Sequence, residues 1–260
     1  MVYLIYALVV VVATSLGAVA GLGGGVIIKP LLDLVGFHDA ATINLYSSAA
    51  VFTMCVVSLA KQLRAGFTFD KRTVLLVSAG SLAGGVVGDA VFGALTASFD
   101  NRPVKAVQAG LLTVVLLLIL FYTLRQDKLP SWRLTNPLAI FGAGFGLGAL
   151  AVFLGIGGGP LNVAALSLLF GLGAKEGAVY SLAIIFFSQL SKLTLATVGG
   201  ALWRVDLSYL PAVLLPAVIG GFIGTYGNRR LSEAQVRGIY LATMVVLPLI
   251  SLYNCWSNLV

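Results

Sequence analysis

The chain is poor in charge, in histidine and in cysteine, and each shortage removes a class of function. Of its 260 residues only 10% are Asp, Glu, Lys or Arg, against about 25% in an ordinary soluble domain. Sixteen basic and nine acidic side chains cannot clothe a soluble fold of this length. With one histidine, His38, and no H-E-x-x-H, a histidine-based metal site has no ligands to draw on. The two cysteines, Cys55 and Cys255, lie in apolar segments without C-x-x-C spacing, so neither a disulfide nor a thiolate metal site is expected. A nucleotide-binding G-x-x-x-x-G-K-[ST] loop is also missing. An enzyme would need several chemical roles converging in one place, and one deep aspartate with one histidine does not fill them. No enzyme activity, metal or cofactor is therefore expected.

Hydrophobicity is what the chain has in excess: 59% of residues are hydrophobic and the mean hydropathy is +1.03. At ~20 apolar residues per bilayer crossing there is room for about eight spans and little else. Apolar segments read off at 2–20, 40–60, 74–98, 104–124, 137–154, 177–200, 207–226 and 235–254. The composition predicts an all-α polytopic membrane protein of the plasma (inner) membrane. The net charge of +7 does not point to nucleic acid, because the basic residues form short clusters between apolar runs instead of one face. Ala18-Val19-Ala20 imitates a signal-peptide cleavage site. No Lys or Arg precedes Lys29, however, and the segment recurs later in the chain, so a retained span is expected.

That recurrence is the most informative feature. Gly21-Leu22-Gly23-Gly24-Gly25 returns 134 residues later as Gly155-Ile156-Gly157-Gly158-Gly159. At the same spacing Tyr46-Ser47 falls on Tyr180-Ser181, and Phe52 on Phe186. Gly84-Gly85-x-x-Gly88 matches Gly220-Gly221-x-x-Gly224, and Val104-Lys105 matches Val236-Arg237. The chain reads as two homologous repeats of about four hydrophobic segments, 1–124 and 137–260, joined by a linker at 125–136. Four full crossings per repeat would make them parallel and place nine basic residues on one side against seven. A hairpin at each glycine run would make them inverted and place eleven against five. The second count is the more asymmetric, so inverted repeats are expected.

Each glycine run is followed by a short apolar stretch, 26–36 or 160–171. About ten residues make a helix of ~15 Å, half a bilayer. Three consecutive glycines sustain a helix poorly, so the backbone should open there and restart as a half-helix or re-entrant segment. Opened backbone at membrane depth must be buried in protein or line a wet cavity. The first N–H groups of a helix are unsatisfied and carry about half a positive charge, and glycine lets an oxyanion approach them. Gly23, Gly24, Gly25, Gly157, Gly158 and Gly159 are thus candidate anion ligands near the midplane, with Pro160 suited to a first helical position.

This paired motif resembles that of the sulfite exporter TauE/SafE family of membrane permeases. The likeness rests on Gly21-x-Gly23-Gly24-Gly25-x-x-x-x-Pro30-Leu31, the Tyr46-Ser47-Ser48 span and the second glycine run at 155–159, and it covers essentially the whole chain. It implies transport of small anions, typically sulfite, sulfonates or sulfoacetate. The family often shows Thr-Ser-Leu where this chain has Tyr46-Ser47-Ser48 and Tyr180-Ser181-Leu182. Its second copy often carries a proline where Val163 and Ala164 stand here.

Polar residues inside spans usually face a bundle interior. Ser47 and Ser181, equivalent across the repeat, are the best side-chain donors to an anion. Asn44, one turn before Ser48, has only Ala178 as its counterpart in the other repeat and reads as a packing or capping group. Lys192 either supplies charge to the substrate or snorkels to the interface, and its long stem favours snorkelling. Lys29 should pair with Asp33 at i+4. Asp89 is either a proton-coupling acid or a span-end residue near the headgroups. The Gly80, Gly84 and Gly88 stripe reads as a helix-packing face. The expected partners are a lipid bilayer and a small anionic substrate, not nucleic acid, with a homo-oligomer left open. The leading function is a secondary transporter; an anion channel using the same turns as a filter is the alternative.

Overall fold

The computed structural model describes residues 2–126, 130–156 and 158–259. Among the described residues ten α-helices follow one another: α1 Val2–Ala20, α2 Gly25–Val35, α3 Ala40–Arg64, α4 Lys71–Ser98, α5 Asn101–Arg125, α6 Pro137–Leu154, α7 Gly159–Phe170, α8 Ala174–Val198, α9 Leu210–Arg230 and α10 Glu233–Leu259. Two 3-10 turns, Ala201–Arg204 and Leu207–Tyr209, lead into α9. Eight helices are long and apolar enough to cross a bilayer, and α2 and α7 are the short exceptions at 11 and 12 residues. This is an all-α polytopic membrane protein.

Four helix starts at the ends of the bundle, those of α3, α4, α6 and α10, carry conventional caps. Asp39 accepts from Thr42 N at 2.7 Å, Asp70 from Arg72 N and Thr73 N, and Asn136 from Leu138 N just before Pro137. Ser232 and Gln235 cap α10 reciprocally. Such a cap is worth ~1 kcal/mol. Asp70 and Asp206 both titrate below the usual carboxylate range because they accept hydrogen bonds, chiefly from Thr73 and Ser208 respectively.

The small-residue stripe fixes the closest helix crossing. Gly80, Gly84 and Gly88 of α4 lie on the carbonyls of Phe141, Phe145 and Ala149 of α6, where a Cβ would overlap the backbone. The equivalent crossing puts Gly220 and Gly224 of α9 on Val11, Thr14 and Ser15 of α1. The packing role expected of the stripe is what the structure shows.

Contacts between helix ends define the direction of every segment. At one end Tyr6 shares a 2.6 Å hydrogen bond with His38, stands edge-on to Tyr46 and lies beside Tyr209, while Lys105 Nζ donates to His38 O at 3.1 Å. The starts of α1, α3, α5 and α9 and the finish of α2 therefore gather there. At the other end Gln62 bonds Asn228 and Asn228 bonds Val19 O, which unites the finishes of α1, α3 and α9. Trp132 N and Leu134 N donate to Leu168 O and Leu169 O, setting the start of α6 beside the finish of α7. Glu233 accepts from Ala174 N and Lys175 N, adding the starts of α8 and α10. Arg64, Lys71, Arg72, Lys175, Arg229, Arg230 and Arg237 all belong to this second, basic end. Hairpin α1–α2 thus starts and finishes at the histidine end, and hairpin α6–α7 at the basic end.

Candidate functional site

The two hairpins meet at their tips. A Cβ on Gly25, the first residue of α2, would lie 2.7 Å from Ile156 O, and one on Gly159, the first residue of α7, would overlap Leu22 O. These are the same contact written twice, since each pair is displaced by 134 residues from the other. Gly21 lies on Ala178 and Gly155 on Asn44 in the same sense. Gly24 and Gly158 precede their helices in the left-handed region, at φ of 75° and 76°, which only glycine adopts cheaply. Neither helix start receives a side-chain cap. Two uncapped N-termini, each with about half a positive charge, consequently sit side by side among buried residues. Gly157 lies outside the described residues.

Helices α3 and α8 supply the walls. On α3 the face Asn44, Ser47, Val51 looks at the turns: Asn44 meets Gly155 and Val51 meets Gly23 and Gly25. On α8 the equivalent residues are Ala178, Ser181 and Ile185, of which Ala178 meets Gly21 and Ile185 meets Gly23. Ser181 Oγ donates to Gly21 O at 2.6 Å and approaches Gly159 O at 3.4 Å. Phe52 and Phe186 stack between the same two helices, ring centres 5.2 Å apart.

Three side chains around the turns hold buried polar atoms with no partner among the described residues: Ser47 Oγ, both amide atoms of Asn44, and Asn162 Oδ1. A buried unsatisfied group costs ~1–3 kcal/mol, and three together mark a place where something else completes the bonding. The sequence-level view of Asn44 as a packing residue is half the story, because it packs on Gly155 yet leaves its amide unused. Asn162 was missed altogether. It stands in the apolar stretch after the second turn, where its counterpart is Ile28, and being the lone amide there was the signal available.

Lys192 does not snorkel. It is only 3% exposed, and its Nζ reaches Asn44 O at 3.4 Å. Asp89, on α4 and partly exposed, is its electrostatic neighbour. Lys29 does pair with Asp33, at 3.4 Å, and belongs to a separate buried network with Lys105 and Gln108. The structure therefore gathers Gly23, Gly24, Gly25, Gly158, Gly159, Ser47 and Ser181, sets Lys192 beside Asn44, and puts Asp89 within electrostatic range of Lys192.

Comparison with known proteins points to a family of membrane transporters. Residues 6–249 match the family model described as sulfite exporter TauE/SafE. The chain is 24% identical over 262 residues to a protein of Bacillus subtilis (strain 168) named "Probable membrane transporter protein YunE", covering 92% of each chain. No solved structure matches it significantly. A family model spanning nearly the whole chain, on a bundle of eight crossing helices, shows that this protein belongs to the sulfite exporter TauE/SafE family of membrane transporters.

Proposed function

We propose that the chain is a secondary permease for small anions of the sulfur-containing kind (sulfite, sulfonate or sulfoacetate), working by alternating access around the two glycine turns. The observation that carries it is the meeting of the tips, Gly25 on Ile156 O and Gly159 on Leu22 O. It brings two uncapped helix N-termini together where Ser47, Asn44 and Asn162 offer unpartnered polar atoms. The amide ends stabilise the negative charge, Ser47 and Ser181 give it direction, and Lys192 adds a buried amine donor within the same protein interior.

The two halves, 1–124 and 137–260, act as inverted copies whose hairpins enter from opposite ends. Rocking of one half against the other then exposes the same turns first to one side and next to the other. The basic end faces the cytoplasm by the positive-inside rule. Backbone packed on backbone at the tips favours a carrier over a continuously open filter. With no phosphate-binding loop in the sequence, the drive is a gradient or an accessory ATPase, and Asp89, which interacts electrostatically with Lys192, is the acid through which protons would couple.

Reconstituted protein tests the reading. Proteoliposomes should show saturable flux of sulfite or an organosulfonate. Gly24→Leu and Gly158→Leu should stop it, and Ser47→Ala and Asn162→Ala, which leave the left-handed glycines in place, should lower it while helical content and monodispersity persist. Undiminished flux in both glycine variants would remove the glycine turns from the mechanism.

A further inference from the structure

Helices α5, α7 and α10 enclose a cavity of about 270 Å³ whose rim, Gly173, Ala174 and Glu233, lies at the basic end. Its lining also includes Ala20, the residue before the first glycine turn, with Val163 and Ala164, one turn into α7. Arg237, Ser167 and Tyr240 give its walls their polarity.

The equivalent place in the first half is filled. Lys29, Pro30 and Asp33 of α2 stand where α7 has Val163, Ala164 and Ser167, and Lys105 and Gln108 of α5 stand where α10 has Arg237 and Tyr240. There Lys29 Nζ donates to Gln108 Oε1 at 2.8 Å and meets Asp33 at 3.4 Å, and Lys105 meets Asp33 at 3.3 Å. What remains is a cleft of about 10 Å³, the room of roughly one water. Long charged side chains close one copy, whereas Val, Ala and Ser leave the other open.

Two contacts make the open copy suited to an anion. Glu233, which would repel one, spends both carboxylate oxygens on Lys175 N at 3.2 Å and also accepts from Ala174 N. Its charge is thereby directed at the positive start of α8. Tyr240 Oη donates to Pro160 O at 2.8 Å, so the inner wall is tied to the residue after Gly159.

We propose that this cavity is an anteroom to the glycine turns: it receives a small organic anion from the basic end, acidic head toward Arg237 and carbon part on Val163 and Ala164, and Tyr240 separates it from Gly159. The inference builds on the permease reading, and its test does not depend on transport.

The probe is 2-sulfonatoethyl methanethiosulfonate, a thiol reagent that is itself a small organic sulfonate. Ser167→Cys, made with Cys255→Ser while Cys55 stays buried, should label from the basic end. Arg237→Gln should slow that labelling about tenfold, the loss of one charge-assisted contact, and leave the neutral methyl reagent at its original rate. Ala164→Cys gives the same readout if Ser167→Cys folds poorly. Equal slowing of both reagents, or none for the anionic one, overturns the anteroom. Charge-selective labelling in a protein that moves no anion would spare it and sink the permease. Flux with unselective labelling would do the reverse.

Discussion

Ser47 and Ser181 occupy equivalent places 134 residues apart, yet only one of them is bonded. Ser181 Oγ donates to Gly21 O at 2.6 Å, while Ser47 Oγ, 1% exposed, has no partner. The same hydroxyl therefore holds a turn in one half and is held in reserve in the other.

Opposite outcomes follow for the two alanine variants. Ser181→Ala should cost about 1 kcal/mol of stability, the net worth of one buried hydrogen bond, seen as a lower thermal midpoint. Ser47→Ala deletes a group that is unsatisfied without ligand, so the midpoint should hold or rise. Its cost should appear in transport instead, as a half-saturating anion concentration raised about tenfold. Equal behaviour of the two variants in both assays would contradict the asymmetry.

A graded glycine series separates contact from composition. Gly159→Ala drives a methyl into Leu22 O, and backbone on both sides cannot yield, so a loss of several kcal/mol or no folded protein is expected. Gly25→Ala meets Ile156 O at 2.7 Å and should be nearly as severe. Gly93→Ala, with nothing within 4 Å of the added carbon, should be neutral or stabilise α4 by about 1 kcal/mol. Thermal midpoints in detergent measure all three.

The bilayer-crossing segments were legible because a long apolar run has few other uses. The expected 137–154 coincides with α6, Pro137–Leu154, since Asn136 and Pro137 mark a helix start chemically as well as by hydropathy. Helix α3 overruns its expected finish to Arg64, and α8 begins early at Ala174. Lys61, Arg64, Lys175 and Glu176 continue the helix after the apolar stretch has ended. The breaks at the glycine runs were legible too, because consecutive glycines carry their own backbone preference. What each tip touches was not: the approach of Gly25 to Ile156 O is set by the packing of α3, α8 and the opposite hairpin. Lys192 failed for a related reason, as snorkelling or burial of a long amine depends on which helices surround it.

Acid should loosen the start of α4 in a defined window. Asp70 titrates below its ordinary value because the Thr73 hydroxyl, then the Thr73 and Arg72 amides, donate to it. A carboxyl depressed on folding stabilises the folded state above its unfolded value, about 3.9, and that contribution is lost as pH falls through the folded value. The thermal midpoint should therefore decline below about pH 4 and recover on neutralisation. Asp70→Asn, which keeps an acceptor, should flatten that part of the profile. Asp70→Ala should cost about 1 kcal/mol at neutral pH, and a profile unchanged by either substitution would assign acid sensitivity elsewhere.

Lys192 and Asp89 allow anion binding and proton coupling to be separated. Lys192→Gln removes the buried amine beside Asn44 and should lower anion flux by more than about tenfold, since the substrate loses a strong donor in a low-dielectric interior. Lys192→Arg restores a donor but cannot fit its planar fork where the amine meets one carbonyl, so partial recovery is expected. Asp89→Asn should leave anion binding in place and abolish the acceleration of flux by an imposed proton gradient. If the two side chains act as one unit, the double variant should lose no more than Lys192→Gln alone, a non-additivity that a double-mutant cycle on flux measures directly. Strict additivity, with gradient dependence intact in Asp89→Asn, would make Asp89 a bystander and leave Lys192 serving the anion alone.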